Sequence, residues 1–262
     1  MIIKKYITII KVSVTNAFIY RSNILSRFCF YTVFIYIFMN LWAMIYENGG
    51  VEGYSYNQIV WYLILTEFIS FACRTTVHSS ISEDVKTGSI AYQISRPVHY
   101  LFFQFANYLG QILVNAILFG AFAIFLGILY VGKLSTFSIY EIPAVVLSLL
   151  LSMVLNYFSL MTIGLCAFSI EDNFAIYLIY QKLGFILGMF LPLEFLPIWL
   201  QPIAKCMPFS YVYWAPAKLF VNYSFDVIVE VIPGQIVWTT FSIILCLFVY
   251  SRGIRRIQVN GG

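Results

Sequence analysis

An all-α membrane protein with six transmembrane helices is the fold class that this sequence predicts, and three observations predict it. Hydrophobic residues fill 61% of the 262 positions and charged residues only 10%. An ordinary soluble domain carries about 25% charged residues, so too few exist here to coat a water-facing surface. The nineteen residues from Phe28 to Tyr46 carry no charge, which is long enough to cross a hydrocarbon core of about 30 Å. Lys4, Lys5, Lys11, Arg21 and Arg27 precede that stretch with no acidic residue among them, and such a basic flank stays on the cytoplasmic side.

The elements follow in order. Over residues 1–25, Ile and Val alternate with Lys, Thr and Asn, which reads as an amphipathic interfacial helix lying on the cytoplasmic leaflet. A signal peptide is also basic at its start, but the apolar run here exceeds the usual h-region of about 7–15 residues and no A-x-A-like site follows. The N-terminus is therefore expected to be retained. Spans one to five are expected within 26–192, at about 26–47, 57–80, 100–131, Pro143 to Ile170, and 174–192. A Gly/Glu loop after the first span and the stretch from Lys133 to Glu141 lie outside, and Glu171, Asp172 and Asn173 make a tight inner turn. Between spans two and three runs the longest inner polar stretch, ISEDVKTGSIAYQISRPVHY.

Pro192, Pro197, Pro202, Pro208 and Pro216 then interrupt the helical pattern, at a density that a long lipid-exposed helix does not tolerate. Residues 193–229 accordingly read as short extracellular re-entrant helices, with Trp199, Tyr211, Tyr213 and Trp214 anchored at headgroup depth. The last span covers 230–251, and 252–262 form a cytoplasmic tail with Arg252, Arg255 and Arg256. The whole chain, 1–262, reads as one transmembrane domain with both termini inside. This topology puts eleven basic and four acidic residues on the inner side, against three basic and six acidic outside. The net charge of +4 is thus a topology signal, and no nucleic-acid partner is expected.

Catalytic and metal chemistry leave no trace. The phosphate-binding string GxxxxGK[ST], the HExxH pair and the GxSxG elbow are all absent. His78 and His99 share no carboxylate at ligand spacing, and the five cysteines show no CxxC pattern. No catalytic, cofactor-binding or metal site is expected, and the chain is not expected to be an enzyme. Two charges stand inside spans: Glu67 about ten residues into the second, and Lys182 about eight into the fifth. At ~1.5 Å per residue their depths are comparable. A charge at mid-bilayer costs at least about 2.5–3.5 kcal/mol, so each needs a partner or water. Either they pair or line a translocation path, or they snorkel and serve structural hydrogen bonds. Gly184 and Gly188 form a GxxxG pair, which permits close helix approach.

The order of these elements resembles the type-2 ATP-binding-cassette (ABC) exporter permeases over essentially the whole chain. In that family the segment after span two carries an acidic residue, a Gly-small pair, and L-x-x-P with a basic residue before Pro. Asp84, Gly88, Arg96 and Pro97 stand in those places, with Ile94 where Leu is usual. The outer segment PLEFLPIWLQPIAKCMPFSYVYWAP matches the family's proline-aromatic pattern. The resemblance implies a permease subunit that exports a substrate using ATP hydrolysed by separate ABC ATPase subunits, which bind the ATP and Mg. It implies a second permease chain, identical or paralogous, and a bacterial cytoplasmic membrane. Glu83, Asp84, Gly88, Arg96 and Pro97 then belong to a cytoplasmic coupling helix, Glu67 and Lys182 to the translocation path, and Gly184 and Gly188 to the dimer seam. The apolar spans favour an amphipathic or hydrophobic cargo: a small molecule, a lipid-like molecule or a peptide. A secondary transporter needs several buried carboxylates and an internal repeat. A membrane-embedded enzyme or accessory protein without an ATPase needs clustered polar residues at one depth. Both remain as alternatives.

Overall fold

The computed structural model describes residues 2–19, 21–51, 53–132, 138–170 and 172–260, and every regular element among them is helical. The chain opens with α1 (Ile2–Ile19), α2 (Arg21–Glu47), α3 (Tyr56–Ala72), α4 (Val77–Lys86), α5 (Ser89–Ser95) and α6 (Tyr100–Tyr130). It continues with α7 (Ile142–Leu165), α8 (Ala167–Ile170) and α9 (Phe174–Gly184), which runs on as a π-helical turn over Phe185–Met189. Three short helices, α10 (Gln201–Lys205), α11 (Pro208–Val212) and α12 (Trp214–Val221), lead into α13 (Phe225–Asn260). Glu52, Lys133 and Glu171, which entered the charge count and the expected turns, lie outside the described residues, as do the side chains of Arg21 and Arg256.

Five stretches are long and apolar enough to cross a membrane: Ile24–Glu47, Tyr56–Lys86, Tyr100–Tyr130, Ile139–Ile170 and Phe225–Arg255. The stretch expected as the fifth span is shorter, Phe174–Met189, because Pro192 stops it. The last helix differs from expectation at both ends. It starts at Phe225 and stays helical through Asn260, so the described part of the expected tail is a continuation of α13.

The second span is the centre of the bundle: 78% of its most apolar window is buried, against 17% for α2. Its start is fixed locally. Ser55 caps α3 by accepting from the Gln58 backbone N–H, while the Gln58 side chain accepts from the Ser55 N–H at 2.8 Å, a reciprocal capping box. The Gln58 amide also donates to the Val221 carbonyl at 2.9 Å, which joins the N-terminal end of α3 to the C-terminal end of α12. At its C-terminal end α3 gives way to a non-helical joint over 73–76 before α4 begins. Within a membrane such freed backbone groups must find partners, and the Asn156 amide donates to the Cys73 carbonyl at 3.3 Å.

The same rule explains the end of α9. Pro192 has no N–H, so the Gly188 carbonyl four residues earlier loses its helical donor. The Tyr62 hydroxyl of α3 donates to that carbonyl at 2.6 Å, and Thr66 donates to the Met189 carbonyl at 3.1 Å. We expect Tyr62→Phe to lower stability by about 1–2 kcal/mol, the cost of one orphaned carbonyl. A double variant with Pro192→Ala, which restores the N–H, should recover most of that loss in thermal unfolding.

The prolines of the outer segment start helices more than they break them. Pro202 and Pro208 stand in the first turns of α10 and α11, where no N–H is needed. Of the aromatic residues expected at headgroup depth, Trp199 is 69% exposed, but Trp214 is 1% exposed. Trp214 is a core residue because its ring packs under charged side chains.

Candidate functional site

Two of the sequence-predicted residues meet in one cavity. A space of about 550 Å³ lies between α2, α3 and the π-helical end of α9, and both Glu67 and Lys182 line it. Glu67 is 2% exposed, and its Oε2 is buried without a hydrogen-bond partner. Lys182 is exposed. Among the described residues, no cation comes within 4.0 Å of Glu67, so the two charges share a wall without forming an ion pair. The rest of the wall joins Phe30, Phe34, Phe71, Phe185 and Met189 to two further cations, Arg27 and Arg74. Arg74 stands in the joint between α3 and α4. A smaller cavity of about 210 Å³ between the C-terminal half of α1 and the middle of α6 shares both arginines. A third, of about 160 Å³, places Arg74 beside Asn156, Tyr177 and Tyr180.

The polar stretch after α3 forms a tight corner. Its first helix, α4, starts at Val77, so Glu83 and Asp84 fall in its last turns. Carboxylates there oppose the helix dipole, and Asp84 is compensated by local bonds. Ser89 donates to its Oδ1 at 2.7 Å and Tyr100 to its Oδ2 at 3.3 Å. Gly88 turns the chain at φ +71°, a left-handed conformation suited to glycine. The helix that follows, α5, ends at Arg96, whose extended backbone is what the following Pro97 requires. Glu83, Gly88, Arg96 and Pro97 are all exposed, with Tyr92 beside them, whereas Ile81 and Ile90 hold the corner to the bundle. Arg96 lies over the Tyr92 ring at 4.8 Å.

At the opposite end, four charges close on one another. Lys218 reaches Glu194 at 2.7 Å and Glu230 at 2.8 Å, and Lys205 reaches Glu230 at 2.6 Å. The Trp214 N–H and the Tyr54 hydroxyl each donate to Glu194 at 3.2 Å. Burial alone would lower the Lys218 pKa, but its bonds to Glu194 and Glu230 outweigh burial and raise it. The stability this gives is present below the ordinary lysine range and is lost only as pH rises through the folded value.

Residues 29–261 match the family model described as ABC-2 family transporter protein. The chain belongs to the ABC-2 transporter family. No curated protein matches it. It is accordingly a multi-pass membrane protein of an ABC-2 transporter, in line with the expected family and with the five spanning stretches.

Within this ABC-2 protein, Gly184 and Gly188 do not face outward. Atoms added as Cβ would lie 3.1 Å from the Tyr213 ring and 3.1 Å from the Phe209 carbonyl. The close approach that a GxxxG pair permits is made within the chain, to Phe209 of α11 and Tyr213 at its end. The sequence reading counted Arg27, Arg74 and the outer four charges only toward topology. Arg27 at three residues before Phe30 and seven before Phe34 was the available signal for a shared helix face. The outer cluster had no such signal, since its members are brought together by the turns among α10, α11 and α12.

Proposed function

We propose that this ABC-2 protein is the permease half of an exporter, driven by separate ATPase subunits that bind ATP and Mg and dock on the α4–α5 corner. The chain contributes one transmembrane domain of six crossings, the sixth being Phe174–Met189 with its π turn, in a bacterial cytoplasmic membrane. Both termini lie inside, and 193–229 dips back into the outer leaflet as a re-entrant cap. The 550 Å³ cavity with Glu67 and Lys182 is the chain's share of the translocation path, for a hydrophobic or amphipathic cargo. A second permease, identical or paralogous, completes the path across the lipid-exposed faces of α2 and α9, where Val33, Ile37, Ile179 and Ile186 are all more than half exposed.

One observation carries this reading. The exposed corner continues through α4 and the 73–76 joint directly into the cavity wall at Arg74, so a push on the corner is delivered to the cavity. The test is co-purification of the ATPase subunits with a tagged chain. Substitution of the exposed pair Glu83→Ala and Arg96→Ala should reduce the retained ATPase by about tenfold or more, the loss of ~1.4 kcal/mol or more of binding, with thermal stability unchanged. Asp84 is left intact because its bonds hold the corner together. Wild-type retention by the double variant would remove the corner as the docking site.

A further inference from the structure

We infer that the 550 Å³ cavity takes an amphipath whose head is anionic, with a phosphate or carboxylate at the inner mouth and the apolar part directed outward. The inference deepens the export reading and rests on it for the fate of the ligand, but not for its binding.

Three segments line the cavity, and each presents a cation followed by an aromatic residue. On α2 these are Arg27, Phe30 and Phe34; at the C-terminal end of α3, running the other way, they are Arg74, in the joint over 73–76, then Phe71 of the helix; on α9 and its π-helical end they are Lys182 then Phe185. The spacings of three, four and seven residues keep the α2 set on one helix face. In the proposed topology the cation is the inner member of all three. The aromatic members form a continuous surface, Phe30 lying 6.3 Å from both Phe34 and Phe71.

The charges are not balanced by the protein. Three cations line the wall against the single carboxylate Glu67, which lies one turn beyond Phe71 and away from the arginines. Among the described residues, none of the three cations is within 4.0 Å of a carboxylate. Arg27 Nε is buried with no hydrogen-bond partner. A buried donor left without a partner is costly, and two guanidinium forks facing one space match the paired oxygens of a carboxylate or phosphate. The volume lies within the range of ligand pockets, about 300–1,000 Å³. A cationic head meets three like charges there, and an uncharged apolar ligand leaves them unanswered.

The experiment measures equilibrium binding to the full chain in phosphatidylcholine nanodiscs, with empty discs subtracted. The probes are dodecyl phosphate, dodecanol, dodecyltrimethylammonium and inorganic phosphate. Dodecyl phosphate should bind at least about tenfold more tightly than each of the others, a difference of ~1.4 kcal/mol. The double variant Arg27→Gln, Arg74→Gln should lose that preference while still binding dodecanol, and the Arg→Lys pair should keep most of it. Equal binding of the three dodecyl probes, or equal binding of inorganic phosphate, overturns the inference. If phosphatidic acid placed in the disc displaces dodecyl phosphate at equal concentration, the site holds a membrane lipid and the cargo assignment falls. Should the Gln pair fail to fold, the ranking of probes by the wild-type chain decides alone. Failure of the export reading looks different: dodecyl phosphate binds with the stated preference, but the complete complex neither turns over ATP faster with it nor moves it.

Discussion

Gly110→Val should release α1 from the rest of the molecule while leaving the other helices folded. A Cβ at position 110 would sit 2.5 Å from the Ser13 Cβ and 2.7 Å from the Ile10 carbonyl. The carbonyl is backbone, so no rotamer change relieves the clash, and overpacking of this kind costs about 1–3 kcal/mol. The contact at Gly110 is part of the packing of α1 along α6, which also sets Tyr6 edge-on to the Phe102 ring at 6.2 Å. Most described side chains of α1 are exposed, and Ser13 is the one buried position among them, with its hydroxyl donating to the Asn107 carbonyl at 2.6 Å. We expect amide protection over residues 3–17 to fall by about tenfold to a hundredfold, with nearly unchanged protection in α3 and α7. Unchanged protection in α1 would mean that some other contact holds this helix.

Lys218→Met should loosen the outer cap. The substitution keeps the length of the side chain but leaves Glu194 and Glu230 without their shared cation, and only Glu230 retains a cationic partner, in Lys205. Breaking a fully buried ion pair from one side costs about 3–5 kcal/mol. Both carboxylates here are about one-third exposed, so water offsets part of that, and we expect a loss of about 2 kcal/mol. Thermal unfolding should register it. Pairing Lys218→Met with Glu194→Gln should restore much of the loss, because the unpaired charge is then gone. A single variant as stable as the wild type would show that the cluster does not hold the cap.

The spans and the corner were legible because each depends on a local pattern. A run such as Phe28–Tyr46 declares its length and flank by itself, and Gly88 and Pro97 mark turns through their own backbone limits. What stayed hidden depends on which helices become neighbours. Glu194, Lys218 and Glu230 are distant in sequence, and nothing in their spacing points to a common site. The GxxxG pair announced a close approach at Gly184 and Gly188, but its partner, α11, could only be seen once Pro192 had turned the chain back. Glu67 and Lys182 were matched by depth alone, a coordinate that the sequence does supply. Arg74 was not matched, because its place depends on the break over 73–76, and no glycine or proline there advertises it.

The length of α13 has a mechanical consequence. Its 36 residues rise by about 54 Å, well past the apolar slab on at least one side. Two glycines seat it against aromatic rings: Gly234 against Tyr211, and Gly253 against Phe168. These seats lie nineteen positions apart, roughly 28 Å along the axis, and neither leaves room for a methyl group. A beam clamped at two such points cannot swing without unseating one of them. Under the proposed push from the α4–α5 corner, the helices free to move are α2, α3 and α9, with α13 as the fixed post they move against.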